Sequence, residues 1–230
     1  MPITAASIHP TEVQYNGGIY TPVGSVEDQL DRINQSINLA LTLGGPIAAE
    51  LENFIRSHTN LKFLVTTQNA ASQFVPSSFL TLAGASIGIV FWDPTQVVHF
   101  WVNGTKNVTI SNEEIKKGAF TIKKTYYQFD GTVAEIPEWV CLFHEIGHAR
   151  QCTENQQDFL DKLHNADLIS IERDNLIRHE NPMMRHAGLP LREDYFGQSF
   201  SSGLDPNHKG KYTRLTKEGT APQHERFAKV

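Results

Sequence analysis

The sequence predicts an α+β fold. Three observations carry this reading: two amphipathic helical patterns open the chain, strand-like segments fill its middle, and a strongly apolar helix follows them. The first helix begins at Ser25, after which Val26, Leu30, Ile33, Ile37 and Leu41 recur every three or four residues. Gly44-Gly45-Pro46 stops it and starts a second helix, with the proline near the first helical position and Ile47, Leu51, Phe54 and Ile55 on the apolar face. Leu61–Thr66 and Ser86–Trp92 read as strands, the second ended by Asp93-Pro94. Val97–Val102 and Lys106–Ile110 flank Asn103-Gly104, which predicts a hairpin. Ala119–Phe129 is a further strand before the turn Asp130-Gly131. Pro137 opens the apolar helix, and helical character continues through about Leu163. Asp167–Arg178 reads as another helix and Pro182–Tyr195 as a turn-rich segment.

The flanks differ from this body. Residues 1–24 are polar, with an Asn16-Gly17 turn signal, and read as an arm or hairpin. Residues 197–230 are rich in Gly, Ser, Lys and Thr and predict a loosely packed tail. Residues 25–196 then form the main domain.

A chain of 230 residues is long enough for one sizeable core. Its net charge of −5 offers no footprint for nucleic acid or for an anionic membrane. No apolar run is long enough to span a bilayer, and the N-terminus lacks the basic start and apolar stretch of a Sec signal. The expected location is the cytoplasm, or another cell reached by a non-Sec route. Oligomeric state is not legible. Cys141 and Cys152 lie eleven positions apart on the same predicted helix, roughly 16 Å at 1.5 Å per residue, whereas a disulfide needs Cα atoms within about 7 Å. Both are read as reduced thiols.

The chemistry concentrates in Trp139–Gln151, WVCLFHEIGHARQ. His144, Glu145 and His148 form an H-E-x-x-H pattern. Positions i and i+4 share one face of a helix, so two neutral imidazoles there can bind one zinc ion at roughly 2.0–2.1 Å each. Glu145 follows His144 by one residue and lies to the side of the pair, where it can take a proton from a zinc-bound water. The bland reading is a helix with two surface histidines and an incidental Glu. Trp139, Val140, Leu142, Phe143 and Ile146 argue against it, because they make the helix apolar nearly all round. Buried histidines and a buried carboxylate need partners, and a metal supplies them.

A catalytic zinc takes three protein ligands and keeps one open position. A ligand six residues after His148, as in metzincins, needs Gly where this chain has Gln151 and His where it has Glu154. Cys141, one turn before His144, is better read as a core thiol than as a ligand. A Glu from a later helix remains, and Glu172 and Glu180 both qualify. His164, His179 and His186 are read as surface residues.

HEIGHA, a following Glu, Glu180-Asn181 and GLPLRxxY (Gly188–Tyr195) together resemble the NleD-like effector metallopeptidases that bacterial pathogens inject into host cells. SIGIVFWDP is similar to the strand before their active-site helix. The resemblance runs loosely from about Gly45 to Tyr195 and is specific in Leu142–Arg150 and Glu172–Tyr195; the arginine after Glu180-Asn181 stands at Arg185. It implies a zincin-like fold, with a small mixed or antiparallel sheet packed on the HExxH helix and further helices around it. It also implies zinc endopeptidase activity on proteins. A more distant similarity to clostridial neurotoxin light chains rests on an Arg-x-x-Tyr spacing at Arg192 and Tyr195. On that pattern Glu172 is the third ligand, Glu180 orients the arginine or a histidine, and Arg192 and Tyr195 stabilise the oxyanion.

The reading is a zinc endopeptidase with metal ligands His144, His148 and Glu172, catalytic Glu145, Arg192 and Tyr195, and Glu180 behind them. Its substrate is a protein or peptide, held on a strand edge at Ser86–Trp92 or Val97–Val102. The alternatives are a zinc-stabilised binding domain without turnover and an intracellular peptide-maturation protease.

Overall fold

The structure is a computed structural model that describes residues 3–67, 72–80, 84–95, 98–101, 107–117, 120–130, 133–192, 211–214 and 227–229. It is α+β, with small sheets and a cluster of helices. The opening hairpin pairs β1 (Val13–Tyr15) with β2 (Gly18–Tyr20). Asn16 and Gly17 take φ of 51° and 79°, as a two-residue type I′ turn demands. This segment is no loose arm. Ile3 and Ile8 join the main core, and Ile8 bridges to Phe63.

Helix α1 (Val26–Leu43) starts from a capping box: the Ser25 hydroxyl accepts from the Asp28 N–H, and the Asp28 carboxylate accepts from the Ser25 N–H. Gly44 caps its end and α2 (Gly45–Ser57) follows at once, with Gly45 at φ 65° and Pro46 in the first turn. α2 keeps its predicted face, whereas in α1 Ile33 and Ile37 are buried as expected but Leu41 is exposed and Ala40 takes the place beside the core.

The main sheet has the order β3-β5-β4, with β3 (Leu61–Val65) parallel to β5 (Gly88–Trp92) and β4 (Gln73–Pro76) antiparallel to it. Side chains alternate across it as the pleat requires. Leu61, Phe63, Val65, Phe74, Val90 and Trp92 face the helices, while Leu64, Val75, Ile89 and Phe91 pack under Val13 and Tyr20 of the hairpin. The strand read as Ser86–Trp92 is therefore central and buried, not an edge. The edge beside the helices is β4, which the sequence reading missed. It is four residues long and ends in Pro76, a residue that edges tolerate because it has no N–H to donate.

The turn expected at Asn103-Gly104 lies outside the described residues, as does Gly131 of the other predicted turn. Among the described residues β6 (Val98–Trp101) pairs with β9 (Val133–Ile136). β7 (Asn107–Lys117) pairs with β8 (Phe120–Asp130), the register running to Lys117 opposite Phe120. The expected loose tail carries two strands: Lys211–Arg214 (β10) pairs with β8, and Phe227–Lys229 (β11) pairs with β10.

The apolar helix, α3 (Glu138–Glu154), begins after Pro137 and is buried along almost its whole length. It packs against α1, α2, β4 and β5. It stops at Glu154 instead of running to Leu163. Asn155 leaves the helical region and its side chain caps α4 (Gln156–His164). Then come α5 (Leu168–Asn175), a π turn (Leu176–Glu180) and α6 (Asn181–His186) in one run. The segment predicted as turns from Pro182 is thus helical at first, and Met183 and Met184 are fully buried in the main core. Among the described residues, no helix is long and apolar enough to cross a membrane.

Candidate metal centre

His144 and His148 lie one turn apart on α3, and Glu172 reaches them from α5. The three donor atoms converge: His144 Nε2 to Glu172 Oε2 is 3.0 Å, His148 Nε2 to Glu172 Oε2 is 3.1 Å, and the two Nε2 atoms are 3.0 Å apart. A tetrahedral zinc with bonds of 2.0–2.1 Å holds its ligands about 3.3 Å apart. The cluster therefore fits a divalent cation, and its two-imidazole, one-carboxylate donor set is one that zinc accepts.

The proton positions make the same point. Arg192 pairs with Glu180 at 3.0 Å, and both side chains are buried. Burial opposes charge on Glu180, but Arg192 and His144 outweigh it and hold the carboxyl below its usual range. An ionised Glu180 only accepts, so His144 Nδ1, 2.6 Å away, must carry the proton and donate. His144 Nε2 is then the ring nitrogen that faces Glu172 and His148. Burial resists charging His144, yet hydrogen bonds to Glu172 and Glu180 raise its pKa to about 10. His148 is also raised, by Glu172 against burial. Glu172 lies well below the carboxylate range, since the two histidines overcome the opposite pull of burial. These directions favour positive charge among the three side chains, whether protons or a cation.

Glu172 and Glu180 stand eight residues apart. In a straight α-helix that spacing leaves them roughly 80° out of phase. The π turn between them winds less per residue and takes up the offset, so both carboxylates reach the same histidine. Pro182 supplies a cause. It has no N–H for the preceding turn and its ring would crowd the Arg178 carbonyl, so the helix opens there. The sequence reading found both Glu172 and Glu180 eligible and took Glu172 as third ligand, with Glu180 behind it. The geometry brings Glu172 to both Nε2 atoms and Glu180 to the far side of His144, against Arg192.

Glu145 is buried beside the pair. Its Oε2 accepts the Phe74 N–H of β4 at 2.7 Å. Burial pushes its carboxyl up to about 7, against the pull of His144 and His148. Arg192 is fixed at its backbone as well: its N–H donates to Asn181 Oδ1, and its carbonyl accepts from Asn181 Nδ2. Tyr195 lies outside the described residues. Cys141 is a buried thiol whose pKa burial raises, and it is not part of the donor cluster; Cys152 is buried too, and neither is bonded.

Several partners escaped the sequence reading. Gln151 meets His148 Nδ1, Asn175 Nδ2 donates to the His144 carbonyl, and His179 Nδ1 lies 2.8 Å from Asn175 Oδ1. His179 was expected at the surface and is buried; only His164 and His186 are exposed. A signal existed, because Ile171, Asn175 and His179 recur every four residues on one face. These groups close around Gly147. A Cβ there would lie 2.1 Å from Asn175 Oδ1 and 2.8 Å from His179 Nδ1. Only glycine lets α5 and the π turn approach α3 this closely.

No protein-family model matches the chain, no curated protein matches it, and no solved structure matches it.

Proposed function

We propose that this chain is a zinc-dependent endopeptidase with a zincin-like active site. One observation carries the reading: two imidazoles and a carboxylate converge within hydrogen-bond range on an H-E-x-x-H helix, with Glu145 buried beside them. The resemblance to effector metallopeptidases in HEIGHA, Glu180-Asn181 and GLPLRxxY supports it.

His144, His148 and Glu172 would hold the zinc. When bound, the metal supplies a Lewis acid that polarises a carbonyl and makes water acidic near neutral pH. Glu145 is the proton carrier. The Phe74 N–H occupies Oε2, which leaves Oε1 to take a proton from the attacking water and return it to the leaving amine. A carboxyl pushed up toward neutral pH suits both transfers. Glu180 keeps the proton of His144 on Nδ1 and holds Arg192, whose guanidinium neutralises the carboxylate behind the histidine. The closeness of that pair makes Arg192 first a structural partner of Glu180, and oxyanion contact a task for Tyr195 and the remainder of the guanidinium. An extended peptide is placed along the edge of β4, the strand that touches Glu145. Host-cell proteins are the first substrates to test.

The binding-domain alternative needs a fourth protein ligand. Among the described residues no fourth His, Cys, Asp or Glu joins the cluster. The test is incubation of the protein with host and bacterial proteomes, followed by sequencing of new N-termini. The wild type should generate a defined set, and Glu145→Gln should retain zinc and generate none. Zinc bound without cleavage of any substrate would overturn the peptidase reading.

A further inference from the structure

We infer that Gln151 is the positioning residue of the second histidine, and that its side-chain amide selects which nitrogen of His148 faces the metal. The inference rests on the zinc reading above and concerns the group behind one of its ligands.

The argument is one of donors and acceptors. Gln151 lies one turn after His148 on α3 and is buried. One end of its amide stands 2.6 Å from Asp174 Oδ2 and 3.1 Å from the Ile171 carbonyl oxygen. Both of those atoms accept hydrogen bonds. The end that meets them must be the NH₂ group, since an oxygen there would face two other oxygens. The opposite end is then the carbonyl oxygen, and it lies 2.8 Å from His148 Nδ1. An amide oxygen cannot donate, so His148 Nδ1 carries the proton. Its Nε2 is left with a lone pair, directed at the cluster formed with His144 and Glu172.

His144 and His148 thus reach the same tautomer through different chemistry. Behind His144 stands a carboxylate held by an arginine. Behind His148 stands a neutral amide, itself aimed by α5: Ile171 and Asp174 flank Glu172 in sequence. One short helix therefore supplies a ligand and also aims the group that orients a second ligand. Movement of α5 would disturb both together.

The test uses the full chain loaded with one equivalent of zinc. A long-range ¹H–¹⁵N spectrum of the histidine rings should show His148 protonated at Nδ1 with Nε2 on the metal. The opposite tautomer, with metal on Nδ1, would overturn the inference without any variant. Competition with a chromophoric chelator should show Gln151→Leu binding zinc about 10–100-fold more weakly than wild type. The double variant Gln151→Glu with Asp174→Asn keeps an acceptor for His148 Nδ1 and gives the other oxygen a donor in the new amide at position 174. It should recover part of that affinity, less than all because the Ile171 carbonyl then faces an oxygen, whereas Gln151→Glu alone should recover less. Equal affinity in Gln151→Leu and wild type would refute the positioning role. If Gln151→Leu does not fold, the wild-type tautomer and the rescue by the double variant decide. A wild type that binds no zinc fails the metal reading itself, a result distinct from each of these.

Discussion

The two sides of α3 are built differently. On the side of α5 and the π turn, side chains meet side chains: Glu172, Glu180, Gln151 and Asn175 contact the histidines or their backbone through a dense set of directional bonds. On the side of β4, Glu145 receives one backbone N–H, from Phe74. The contrast teaches a division of labour. The proposed metal ligands are over-determined by helices, as precise coordination requires, while the proposed proton carrier is held by one oxygen next to a sheet edge.

The largest effect should come from removing a ligand instead of its support. Glu172→Ala is expected to abolish stoichiometric zinc binding at micromolar concentration, whereas Glu180→Gln should weaken it only about 10–100-fold, both read by chelator competition. Equal losses would erase the distinction between the two carboxylates. Glu180→Gln carries a further cost, since removing the carboxylate charge opposite the buried Arg192 destabilises by up to roughly 3–5 kcal/mol. Chemical denaturation should register that loss with zinc absent.

A smaller effect is expected at Gly147. An added Cβ must displace Asn175 and His179, so Gly147→Ala should destabilise by about 1–3 kcal/mol and push α5 away from α3. A variant as stable as wild type would show that this close approach is not required.

The last effect concerns acid. Burial, with Arg178 and Arg150 nearby, lowers the pKa of His179 to about 4, while the unfolded chain titrates near 6.5. Between those values the unfolded state binds a proton that the folded state refuses. Its contribution to stability is therefore complete above pH 6.5 and is lost as pH falls toward 4. Denaturation of wild type and His179→Gln, both with chelator present, should show a shallower decline over that window in the variant. Parallel declines would mean that His179 is charged when folded.

What the sequence disclosed follows from the range of the interactions. The helix start at Ser25, the Gly44-Gly45-Pro46 elbow, the Asn16-Gly17 turn and the histidine pair are set by residues a few positions apart, and each was legible. Glu172 was preferred to Glu180 only on a resemblance, because the geometry that separates them depends on a π turn that no periodicity announces. β4 stayed hidden because four residues ending in proline make a weak strand signal, and only β5 beside it stabilises it. The pairing of β6 with β9 was not legible because its partner lies more than thirty residues on. Gln151, Asn175 and His179 were passed over as ordinary polar residues. Their roles come from where α5 packs, which one helix cannot reveal.

X-ray absorption at the zinc edge tests the central claim most directly. Protein carrying one zinc per chain should show nitrogen and oxygen neighbours at about 2.0–2.2 Å, fitted by two imidazoles, one carboxylate and a solvent oxygen. A sulfur neighbour near 2.3 Å would put Cys141 or Cys152 on the metal and contradict the assignment, as would a purified chain that retains no zinc.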